Sequence, residues 1–150
     1  MKLYAKNTTV HVGKTQADIR KLIEKFGGLW IGVVTNHELT RPVDSLAFKL
    51  GGRAIRFDVQ HPKENDSEIT GYDIEKALTS EYSRRWREVW LIVKSRLIEA
   101  AQLRRDVSEV FMAQLVTKTG MTIWETAQND MGALLSTGSL RDMLALSEGE

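Results

Sequence analysis

His11-Val12-Gly13-Lys14-Thr15 is the stretch of this 150-residue chain whose residue types and spacing suggest phosphate chemistry. A phosphate-binding loop needs a glycine, four residues, then Gly-Lys-Ser/Thr, so that several backbone N–H groups can curl around the phosphates. Here Thr8 stands where the first glycine belongs, and the intervening residues include the β-branched Val10 and Val12. The alternation of Thr8–Val12 predicts a short strand instead, with His11 and Thr9 on one side and Val10 and Val12 on the other. Thr15 is then expected to cap the following helix, with Asp18 as its box-like partner. Such a corner offers room for a single phosphate near Lys14, not for a triphosphate.

Other catalytic patterns are missing from the chain. Cysteine is absent, which removes disulfides, thiolate nucleophiles and sulfur-ligated metals. His11, His37 and His61 have no metal-ligand spacing and are expected on solvated surfaces. No Ser-His-Asp set or paired carboxylates stand in a recognisable frame. Glu64, Asp66 and Glu68 cluster in a polar stretch and are expected to be solvated. No catalytic, cofactor-binding or metal-binding residue is therefore expected, and an enzyme is the least favoured class.

Binding chemistry has more support. If one face of a sheet stays open, alternation places Thr9, His11, Trp30, Val34, Lys49 and Arg56 on it. Trp30 would stack a base there while Lys49, Arg53 and Arg56 neutralise phosphates. Arg84, Arg87 and Lys94 fall on one side of a long helix as a basic ridge, with Glu81 and Glu88 near enough to pair with it. Charge is unevenly spread. Residues 1–70 hold 11 Lys/Arg against 8 Asp/Glu, and residues 71–106 hold 8 against 6. Residues 107–150 hold 2 against 6, so a polyanion meets the first two thirds of the chain first.

The elements that must position these residues follow from periodicity. Ile19, Leu22, Ile23 and Phe26 form a helix stripe stopped by Gly27-Gly28. "LWIGVVT" reads as a strand. Leu46, Phe48 and Leu50, then Ile55, Phe57 and Val59, alternate on either side of Gly51-Gly52, which predicts a hairpin with Leu50 opposite Arg53. "QHPKENDSEITGYD" is polar and reads as a mobile loop. Leu78, Tyr82, Trp86, Val89, Val93, Leu97 and Ala100 predict a helix from about Asp73 to about Leu103. Trp86 and Trp90 are expected in the core, and Leu91 beneath later helices or another subunit. Capping boxes at Asp106–Glu109 and Thr122–Glu125 open short helices, the first running through Leu115. A final segment is "SLRDMLAL". The expected fold is α+β: one domain over residues 1–150, a two-layer β-α-β-β-β-α antiparallel sheet with helices on one face. The sheet and two main helices reach to about residue 105, and short C-terminal helices follow.

Four stretches, "TTVHVGKTQADIRKLIEKFG", "FKLGGRAIRFDVQHP", "RRWREVWLIVKSRLIEAA" and "EVFMAQLVTKTGMTIWE", carry a resemblance. The chain resembles a family of small uncharacterised proteins encoded by tailed bacteriophages and prophages, from about Thr8 to about Leu144. The most specific pieces are Gly52-Arg53 through Phe57, and Arg85-Trp86-Arg87 with Lys94. The chain departs from the pattern at Gly13, where relatives usually carry an acidic residue. The family's genes often lie near recombination and single-strand-annealing genes, which implies a role in DNA metabolism. The expected function is thus a phage non-enzymatic nucleic-acid-binding accessory protein, favouring single-stranded DNA in replication or recombination. The alternative is a phage protein that binds and inhibits a host protein complex. The implied partners are single-stranded DNA, a host or phage protein, or further copies of the chain. No targeting or membrane-spanning segment is evident, so the host cytoplasm is the expected location.

Overall fold

The computed structural model describes residues 6–137, with side chains from 11 to 136. The "SLRDMLAL" segment and the Thr9 side chain lie outside the described residues. Helix α1 (Lys6–Lys25) leads into three strands, β1 (Leu29–Asn36), β2 (Val43–Leu50) and β3 (Arg53–Gln60). Helix α2 (Ile74–Gln102) follows, then α3 (Val107–Val110), a 3-10 turn at Met112–Gln114, α4 (Ile123–Ala127) and α5 (Met131–Thr137). The sheet is antiparallel in the order β1-β2-β3. The protein is α+β, with a three-stranded antiparallel sheet.

The hairpin register is the expected one: Leu50 pairs with Arg53, Phe48 with Ile55 and Leu46 with Phe57. Gly51 and Gly52 turn the chain at φ +56° and +75°, the left-handed pair a two-residue hairpin requires. Asp73 caps α2 by accepting from the Lys76 amide at 3.1 Å. Tyr82, Trp86, Val89, Val93 and Leu97 form its buried stripe. Against them pack the alternating β2 and β3 residues, Val12, Ile19 and Ile23 of α1, and Phe111. Phe111 stands edge-on to both Phe48 and Phe57, at 5.9 and 6.2 Å between ring centres.

Three expectations are corrected. First, Thr8–Val12 is not a strand, because α1 already runs from Lys6. Val12, Ile19, Ile23 and Phe26 continue one helical stripe, and burial of Val12 outweighs the weak strand preference of two valines. Thr15 is therefore no cap; mid-helix, its hydroxyl donates back to the His11 carbonyl at 3.1 Å. Second, Trp30 is not on the open face. A bulge between Trp30 and Gly32 inserts one residue, Ile31, and Trp30 pairs with core-facing Phe48. One extra residue reverses the alternation before it, so Trp30 turns inward while Gly32 and Val34 stay outward. Third, the 61–73 loop is anchored. Asp66 accepts two bonds from Arg41, at 2.9 and 2.6 Å, and one from the Lys63 amide at 2.8 Å. These bonds, that from Arg41 first, hold its carboxyl down at about 2. Arg85 reaches the same carboxylate and the Gln60 carbonyl. Gln60 and His61 thus tie the loop to strand and helix instead of leaving it mobile.

Asp44 is the buried polar centre of this arrangement. Its side chain is 1 % exposed. It accepts from Thr35 Oγ1 at 2.6 Å, His61 Nε2 at 2.7 Å and Trp86 Nε1 at 3.1 Å, and from the Tyr82 hydroxyl. His61 is accordingly buried, not solvated. Burial alone would push the carboxyl up, but the hydrogen bonds from His61, Thr35 and Tyr82 outweigh it and hold it below the ordinary aspartate value.

Replacing Asp44 by Asn keeps the volume but faces these donors with an amide that itself donates. Asp44→Asn is expected to lower the unfolding free energy by about 3 kcal/mol in urea titration at neutral pH. A carboxyl lowered by folding stabilises above its unfolded value of about 3.9 and loses that contribution as pH falls through the folded value. The gap between wild type and Asp44→Asn should therefore narrow steadily below about pH 4.

Candidate functional site

Helices α1 and α2 run side by side in the same direction. His11 and Lys14 neighbour Arg87 and Trp90 at one level, and Phe26 and Gly27 neighbour Leu97 and Ala101 at another. Gly28 allows the tight exit of α1: a Cβ there would stand 2.6 Å from Ile23 Cγ2 and 3.0 Å from the Lys49 carbonyl. Between the helices lies a groove of about 390 Å³, lined by His11, Lys14, Thr15 and Asp18 from α1 and Arg87 and Trp90 from α2. Residues 11, 14, 15 and 18 share one helical face, as do 87, 90 and 94. Lys94 Nζ stands 5.0 Å from the Trp90 ring centre, a cation–π arrangement that carries the basic surface past the groove.

The basic ridge expected on α2 is divided by its carboxylates. Arg84 bonds to Glu81 at 2.8 Å and also to Glu88. The bond from Arg84 lowers the Glu81 carboxyl, with Arg85 adding to it. Arg84 is thus neutralised locally. Lys14, Arg87 and Lys94 have no ion pair among the described residues. Their charges remain available to a ligand.

The remaining expected residues do not join this groove. Trp30 packs on the core face of β1. Lys49 and Arg53 flank the hairpin turn, near the far ends of α1 and α2, and point to opposite faces of the sheet. Arg56 does face the open side, across from Ala47, but it is occupied. It bonds to Asp58 at 3.1 Å, to the Gly120 carbonyl at 2.7 Å and to Glu125. Glu125 also completes the expected capping box with Thr122, whose backbone bond is the foremost cause of its lowered carboxyl. Asp106 caps α3 by accepting from the Ser108 amide, without the expected box to Glu109, and that helix ends at Val110, short of Leu115. Trp90 is half-buried on the groove wall instead of fully in the core, and Leu91 is exposed.

The sequence suggested a phosphate beside Lys14 and placed His11 on the open sheet face; helix α1 brings both to the groove instead. Asp44 was missed although one signal pointed to it: positions 44, 46, 48 and 50 share the core side of β2, so a charge at 44 had to be buried and bonded. Among the described residues, no group of three His, Asp or Glu side chains could hold a metal ion. Nor is any helix long and apolar enough to cross a membrane.

Comparison with protein-family models, with curated proteins and with solved structures finds no match.

Arg56 anchors the 117–125 turn to the sheet through two of its bonds. Arg56→Ala is expected to destabilise the fold by about 1–2 kcal/mol, since its bonds involve charged partners but are partly solvated. Hydrogen exchange should show faster exchange confined to residues 115–127, with the α1–α2 groove unchanged.

Proposed function

We propose that this is a non-enzymatic nucleic-acid-binding protein that takes single-stranded DNA into the groove between α1 and α2. The observation that carries the reading is the convergence of Lys14, Arg87 and Lys94, none ion-paired among the described residues, around the half-buried Trp90. The cations would neutralise successive phosphates, and His11 would supply a hydrogen bond to a sugar or phosphate oxygen. Trp90 would take an unstacked base, which single strands offer and duplexes do not. The site proposed from sequence is thereby moved. Arg87 and Lys94 keep their role, Lys14, His11 and Trp90 join them, and Trp30, Arg56 and Arg84 leave it. Lys49 and Arg53 are exposed and would serve a longer strand reaching the hairpin.

The setting we propose is that suggested by the sequence resemblance: a phage accessory protein of replication or recombination, acting in the host cytoplasm. The excess of Lys/Arg over Asp/Glu in the first two thirds of the chain, which includes both groove helices, favours approach of a polyanion.

Fluorescence anisotropy with a labelled oligodeoxythymidine of about 16 nucleotides tests the site. Binding should weaken with salt, and Lys14→Ala with Arg87→Ala should reduce the slope of log K against log salt by about 1.4, or 0.7 per lost contact. Trp90→Leu should weaken binding by about 1–3 kcal/mol at any salt. Absence of binding at about 100 µM protein in low salt, or binding untouched by both changes, overturns the proposal.

A further inference from the structure

The two edges of the sheet are treated differently. The outer edge of β3 is covered at its start: the Val116 amide donates to the Ala54 carbonyl at 2.9 Å, and Leu115 bridges to Ile55. The outer edge of β1 is open. Among the described residues, no backbone group of Leu29–Asn36 bonds to anything but β2. An open edge is a row of unpaired N–H and C=O groups, and monomeric proteins usually blunt it with lysine, proline or covering chain. β1 has neither lysine nor proline, and no charged residue in its eight positions. Its bulge does blunt the first half, but Gly32–Asn36 runs in regular register. Leu29, Ile31 and Val34 are 63, 54 and 71 % exposed along this strand.

We infer that β1 is a homodimerisation strand, pairing antiparallel with β1 of a second copy to make a continuous six-stranded sheet. The charge pattern selects this occupant. A two-fold axis sets the central residue against its own copy and brings together two strands of identical net charge, so a charged strand would meet its like. β1 carries no charge to oppose a second copy of itself. The regular stretch Gly32–Asn36 centres on Val34, so Val34 faces Val34 of the other copy, with Gly32 opposite Asn36. Directly opposed β-branched side chains are a favourable cross-strand pair. The axis is perpendicular to the sheet, so both copies keep their helices on the same side. This inference is independent of the nucleic-acid reading.

The test is size-exclusion chromatography with light scattering on nuclease-treated protein, from about 1 µM to about 1 mM. The wild type should reach twice the chain mass within that range. Val34→Lys and Val34→Glu, at an exposed position, should each keep the wild-type circular dichroism and raise the dimer dissociation constant at least about 100-fold. Mixing the two variants should restore a dimer, because lysine then faces glutamate. A wild type that stays monomeric overturns the inference, and so does a dimer that survives in both variants. A mixture that stays monomeric overturns pairing centred on Val34.

Discussion

The buried carboxylate of Asp44 is the constraint on which the arrangement depends. An ionised carboxylate removed from water costs several kcal/mol unless its lone pairs are filled. Four separate donors fill them, and they come from β1 (Thr35), the loop after β3 (His61) and two turns of α2 (Tyr82 and Trp86). None of these partners can shift without exposing a buried charge to an apolar surround. The carboxylate therefore sets the rotation and the axial position of α2 over the sheet, which apolar packing alone does not specify uniquely.

That fixed rotation decides what α2 shows to its neighbours. With Trp86 held inward, Trp90 lies one turn along and tilts toward α1, while Arg87 and Lys94 fall on the adjoining strip. Glu81 and Glu88 lie on the other flank and take Arg84, and Arg85 turns to the anchored loop. A helix that reads in sequence as densely and evenly charged is thus sorted into a neutralised flank and a free basic flank. The free flank meets α1 at His11 and Lys14 and becomes a groove.

The open side of the sheet shows a different economy of charge. Arg56 and Asp58 there are bonded to each other, and Arg56 extends to the turn that closes over the β3 edge. Toward β1 the same face becomes apolar and exposed. A protein that neutralises one edge and leaves the other uncharged has two surfaces of distinct chemistry, set apart from the basic groove between the helices.

Much of the architecture was legible in the sequence because it rests on local rules. The β2–β3 register followed from two matching alternations around Gly51-Gly52, and α2 with its Asp73 cap followed from an apolar stripe at helical spacing. The Thr122–Glu125 box was readable for the same reason: its partners are three residues apart. What sequence could not decide were matters of count and of distant partners. A single extra residue at Ile31 turned Trp30 inward, and five residues of alternation at Thr8–Val12 were too few to distinguish strand from helix. Whether a cation is free or paired depends on carboxylates brought near it by folding: Glu125 reaches Arg56 across 69 positions, while no carboxylate among the described residues pairs with Arg87. The sequence alone determined which segments would form the hairpin and the long helix, since those depend on neighbours along the chain. Only the tertiary structure decided which charges remain for a ligand, because the groove joins α1 to a helix some seventy residues away.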